Sequence, residues 1–90
     1  MPTVKFTYAL KRFFPALKDT PAKGRILIDI FREMEMLYPG VCSYLLDEQG
    51  HLRQHVNVFI DGHMIADRHS LNQSFSENSE IFIMQALSGG

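Results

Sequence analysis

The sequence is short of several features, and each absence removes a class of function. It contains one cysteine, Cys42, so no disulfide can form within the chain, and this usage suits a reducing compartment. No stretch approaches the roughly 18 apolar residues of a membrane-spanning helix, and the opening MPTVKFTYAL lacks the charged start and apolar run of a secretion signal. The expectation is a cytoplasmic protein with no membrane partner. Charge of one sign is equally scarce. Nine Lys and Arg against ten Asp and Glu give a formal charge of -1, and the densest basic pair is Lys11-Arg12. No basic stripe is left for a phosphate backbone, which argues against a nucleic-acid partner. Repeats, low-complexity tracts and acidic runs are missing, as is the phosphate-cradling G-x-x-x-x-G-K-[ST].

Other chemistry-bearing residues are present but badly spaced for catalysis. His51, His55, His63 and His69 form no H-x-x-x-H on a helix and join no cysteine pair; His51 and His55 straddle a loop and a strand start. They read as loop histidines, and no metal is expected. Asp61, Asp67, Glu77 and Glu80 fall near turns, where Asp serves its own backbone bonds. Cys42 follows YPGV in an apolar stretch and reads as a buried structural thiol.

What is there is material for one small core. In 90 residues, 46% are apolar, enough for a single domain that buries about 60–70% of its chain surface. TVKFTYA alternates Val4, Phe6 and Tyr8 against Thr3, Lys5 and Thr7, the period of a half-buried strand. LKRFFPALKDTPAK carries two prolines and reads as a loop with a short second strand near residues 16–19. From Gly24 the period lengthens. Leu27, Ile30, Phe31, Met34 and either Leu37 or Tyr38 recur at helical spacing, with Asp29, Arg32, Glu33 and Glu35 on the other side. This helix is expected to start at Gly24 or just after and to stop at Tyr38-Pro39-Gly40.

SYLLDEQGHLRQ reads as an apolar turn and a polar loop. HVNVFID is a strand with Val56, Val58 and Ile60 on one face, and Asp61-Gly62 is a hairpin dipeptide. A short stretch around Met64-Ile65 and a polar segment lead to a last strand, EIFIMQA, with Ile81 and Ile83 opposite Phe82 and Met84. The order is strand, strand, helix, strand, strand, a two-layer α+β arrangement with the sheet on one main helix.

That order, with VNVFIDG midway and NSEIFIMQALSGG at the end, resembles the ubiquitin-like β-grasp sulfur carriers of the ThiS/MoaD family. LLDEQGHLRQHVNVFIDG resembles most the longer carriers linked to a cysteine synthase or to siderophore-type thiocarboxylate pathways. Gln85-Ala86-Leu87 lacks the prolines common before the tail in the molybdopterin branch. The resemblance implies a β-grasp domain over 1–87 and a flexible Gly-Gly tail over 88–90. It also implies that the Gly90 carboxylate is adenylated by a ThiF/MoeB-like activating enzyme, which uses Mg-ATP, and is then converted to a thiocarboxylate. Gly89 and Gly90, without Cβ, suit passage through a narrow channel.

On this reading the chain is a protein co-substrate rather than an enzyme. It binds no cofactor stably and is a monomer when free. Its sulfur goes to an acceptor such as cysteine synthase or the large subunit of molybdopterin synthase, or to a thiamine-type pathway. A ubiquitin-like modifier, joined to lysines through Gly90, would use the same adenylate, and a non-covalent interaction module would leave the tail idle. The partner-binding residues expected are Phe59, Phe82 and Met84 on the sheet face turned from the helix, with Leu87 and Ser88 from the tail. The competing expectation is that Phe13 and Phe14 cover this patch.

Overall fold

The computed structural model describes residues 1–85. β1 (Thr3–Phe6), α1 (Tyr8–Phe13), β2 (Thr20–Pro21), α2 (Leu27–Leu37), α3 (Val41–Leu45), β3 (Val56–Ile60), β4 (His63–Met64) and β5 (Glu80–Gln85) follow one another. The five strands form one sheet in the order β2-β1-β5-β3-β4. β5, last in sequence, lies in the middle, parallel to β1 and antiparallel to β3. Helix α2 supplies Leu27, Ile30, Phe31 and Met34 to a core shared with Val4, Phe6, Val56, Val58, Ile81 and Ile83. Each such side chain contributes about 1.5–3 kcal/mol when fully buried.

Several boundaries differ from expectation, each for a local reason. The first strand ends at Phe6, because the chain turns at Thr7 into α1. The Thr7 carbonyl accepts the N–H groups of Leu10 and Lys11, at 3.1 and 3.2 Å. Tyr8, expected beside Val4 and Phe6, is therefore 80% exposed. The second strand forms at Thr20–Pro21 and not at 16–19. A turn closed by Leu17 N–H on the Phe14 carbonyl occupies the earlier stretch, and Pro21 sits on the edge strand, where its missing N–H costs no ladder bond.

Helix α2 starts three residues later than Gly24. Its first N–H groups have no side-chain cap; Leu27 and Ile28 donate instead to the carbonyls of Gln73 and Leu71, at 3.0 and 2.8 Å. Gly24 lies outside the helix, with its N–H on the Glu33 carboxylate at 2.6 Å. A Cβ there would come within 2.6 Å of the Asp29 Cβ, so close approach requires glycine at this position. At the other end Tyr38, not Leu37, joins the core: Leu37 is 57% exposed while Tyr38 packs against the cluster.

The expected apolar turn after Gly40 is helix α3, which buries Val41 and Leu45. Glu35 reaches across from α2 and accepts the N–H groups of Gly40 at 2.8 Å and Cys42 at 2.9 Å. Those bonds, the Gly40 one foremost, hold its carboxyl below the usual range.

Candidate functional site

The candidate site is the outer face of the sheet, built by strand alternation. In β5, Ile81 and Ile83 are fully buried toward α2, so Phe82 and Met84 point the other way. In β3, buried Val56 and Val58 likewise put Phe59 outward. The register then assembles the patch. Phe82 lies opposite Phe59 on one side and Lys5 on the other, and Asn57 lies opposite Met84. Residues directly opposite share a face, so these side chains are neighbours.

Met64 joins them, because β4 pairs it with Phe59, and it is 58% exposed. It is missing from the expected set, since a two-residue strand carries no alternation to read. Phe59, Phe82 and Met84 are half-buried by their strand neighbours, not fully open. With Gly62 and Glu80 they line a shallow depression of about 260 Å³, bordered by the Lys5–Glu80 ion pair at 3.5 Å.

Phe13 and Phe14 do not cover this face. Their rings meet Tyr44 of α3 at centroid distances of 5.1 and 5.5 Å, and Phe14 packs against the core from there. Among the described residues no second layer lies over Phe59, Phe82 and Met84.

The hairpin beside the depression is fixed by Asp61. Asp61 and Gly62 both have positive φ, 51° and 84°, the backbone of a type I′ turn matched to strand twist. The Asp61 carboxylate accepts the Glu80 N–H at 2.9 Å and the Ser79 hydroxyl at 2.7 Å. The Glu80 bond first, and the Ser79 bond second, lower its pKa. Asp67 similarly accepts the N–H groups of His69 and Ser70. Both act as turn residues.

β5 leads from this face toward the tail. Its last described residue, Gln85, lies opposite Val56 and donates its N–H to Thr7 Oγ1 at 3.3 Å. Leu87, Ser88, Gly89 and Gly90 lie outside the described residues. Cys42 is half-buried and donates its thiol to the Phe31 carbonyl at 3.1 Å. Burial, and then the Glu35 charge, push the thiol up to about 11, which makes it a poor nucleophile. Among the described residues no group of three or more His, Cys, Asp or Glu is arranged to hold a metal ion. No described helix is long and apolar enough to cross a membrane.

No family model and no curated protein matches the chain, whereas solved structures do. CysO in the BexX/CysO complex of Amycolatopsis orientalis superimposes with a TM-score of 0.82 at 22% identity, covering 100% of both chains. CysO of Mycobacterium tuberculosis gives a TM-score of 0.81 at 21% identity, over 97% of this chain and 100% of that one. Small archaeal modifier protein 1 of Methanosarcina acetivorans gives 0.78 at 24% identity, over 99% of this chain and 95% of that one. A mixed five-stranded sheet on one main helix, matched end to end by these proteins, is the ubiquitin-like β-grasp fold, and this chain has it.

Proposed function

We propose that this protein is a ubiquitin-like sulfur carrier working in the cytoplasm, with the Gly90 carboxylate as its reactive group. The observation that carries the reading is the end-to-end match to CysO, in a chain whose sequence after the central strand β5 reads Ala86-Leu87-Ser88-Gly89-Gly90. The carboxylate attacks the α-phosphorus of ATP held with magnesium by a ThiF/MoeB-like activating enzyme, and pyrophosphate leaves. Sulfide then attacks the acyl carbon and AMP departs with one carboxylate oxygen, leaving a thiocarboxylate. If the sulfur arrives as a persulfide, a thiol must reduce the resulting acyl disulfide. The chain supplies the reacting carbonyl and its delivery; the partner supplies the nucleotide chemistry.

The outer face serves as the docking surface for the activating enzyme. Phe59, Phe82 and Met84 lie on or beside the strand that feeds the tail, so a protein engulfing residues 87–90 is brought against them. Gly89 and Gly90 present no Cβ to a channel, and Leu87 and Ser88 contact its mouth. The acceptor of the sulfur is then a cysteine synthase or a molybdopterin-synthase large subunit, and the complex formed by a CysO with BexX supports a dedicated partner enzyme.

The likeness to a small archaeal modifier protein favours a second reading, in which a lysine amine displaces AMP from the same adenylate. Incubation with the activating enzyme, ATP and sulfide, followed by mass analysis, separates them. A thiocarboxylate without conjugates supports the carrier. Higher-mass lysine conjugates without a thiocarboxylate would establish the modifier instead.

A further inference from the structure

Beside the point where β5 ends lies a groove of about 490 Å³ whose lining includes Arg53, Arg68, His51, His55 and His69. Arg68 is half-buried and bonds only to neutral acceptors: Asn57 Oδ1 at 2.5 Å and the carbonyls of Arg53 and Val56 at 2.6 and 2.8 Å, with a long contact to Gln54. Arg53 spends its donors on the Ser43 carbonyl at 3.1 and 3.3 Å. Among the described residues neither guanidinium is in an ion pair; the ion pairs there are Lys5–Glu80 and Arg32–Asp29. His51 and His69 stack ring on ring at 4.1 Å, joining the two loops of the groove.

Acidic groups nearby are already engaged. Asp47, which also lines the groove, accepts the N–H groups of Gln49 and His51. Asp67 accepts those of His69 and Ser70 and the Ser70 hydroxyl. Each carboxylate closes its own turn and keeps its charge; the His51 N–H foremost, and Arg53 in smaller measure, help hold Asp47 ionised. The groove lining still carries two guanidiniums against one carboxylate, with Arg68 bonded to neutral acceptors, in a concave, partly desolvated setting where an anion is attracted more strongly than in open water.

Position gives this charge its meaning. Arg68 bonds the Val56 carbonyl, and Val56 lies opposite Gln85; it also bonds Asn57, which lies opposite Met84. The groove is therefore tied, through Arg68, to the stretch of β3 that pairs with Met84 and Gln85, next to the apolar face. We propose that it receives acidic side chains of the protein that takes the tail, fixing how that protein sits on Phe59, Phe82 and Met84. This rests on the docking role given to that face. The apolar patch provides area and the arginines provide orientation and partner choice.

The test is an amide-shift titration of the whole protein with a hexaglutamate peptide blocked at both ends. Shifts should concentrate at residues 51–57 and 67–69. They should shrink when salt rises from about 0.01 M to about 0.15 M, which cuts the screening length from about 30 Å to about 8 Å. Arg53→Gln should weaken binding about two- to fivefold, the range of an exposed ion pair. Lys23→Gln, at the opposite end of the sheet, should not. Shifts scattered over all lysines, an unaltered response in Arg53→Gln, or an equal response to inorganic phosphate would overturn the proposal. The titration does not involve Gly90. Hexaglutamate binding with no adenylation by the activating enzyme would fault the carrier reading alone, and a chain that gains sulfur at an unchanged rate in Arg53→Gln would fault this inference alone.

Discussion

Replacing Phe82 with alanine separates docking from folding, because Phe82 lies on the central strand but on its outer side. Its ring is half-buried, between Phe59 and Lys5, so the variant loses part of what a core phenylalanine provides. Truncating a fully buried Phe costs about 3–5 kcal/mol, and about 1–2 kcal/mol follows for this half-shielded site. That corresponds to a fall in melting temperature of roughly 4–16 °C for a domain of this size.

Burial of the remaining exposed ring by a partner contributes a similar 1–2 kcal/mol, so affinity for the activating enzyme should fall about five- to thirtyfold. Ile83→Ala is the control, since Ile83 is fully buried on the opposite side. It should cost about 2–5 kcal/mol of stability and leave the affinity of the folded fraction unchanged. Thermal unfolding and calorimetric titration read both quantities. If Phe82→Ala lost as much stability as Ile83→Ala and bound the enzyme normally, Phe82 would be a core residue and the assigned docking face would be wrong.

Two further outcomes follow from the ionisable groups. Glu35 has its carboxyl lowered from 4.5 by the Gly40 and Cys42 N–H groups. A lowered folded pKa gives stability that is present above 4.5 and lost as pH falls through the folded value. Glu35→Gln should therefore flatten the decline of stability below about pH 4.5 in chemical-denaturation curves; an unchanged acid limb would contradict the cap on α3. Cys42, pushed from 9.0 to about 11, should hold about a hundredfold less thiolate at pH 8 than an unperturbed thiol. Native-state labelling should be correspondingly slow, and labelling as fast as in the denatured chain would refute that environment.

The parts of the fold that the sequence reveals are those with a long enough period. Eleven residues of α2 and the alternating β3 and β5 each repeat their pattern, so the sequence alone puts Phe59, Phe82 and Met84 on one face. Short elements carry no such signal. Six-residue α1 and five-residue α3 complete less than two turns each, and their helicity comes from Thr7 and from Glu35, a side chain on another element. The start of α2 is not legible in the sequence because its cap is the backbone of residues 71 and 73, far along the chain. Met64 and the Arg68 groove depend on which strands and loops become neighbours, which no local pattern encodes.

The central claim is that the Gly90 carboxylate becomes a thiocarboxylate. Its most direct test is tandem mass spectrometry of the C-terminal peptide after incubation with the activating enzyme, magnesium, ATP and sulfide. The account predicts one oxygen exchanged for one sulfur, located on Gly90, dependent on ATP and abolished when Gly90 is deleted. Adenylate formation on Gly90 with no sulfur incorporated, or sulfur located on Cys42 instead, would contradict it.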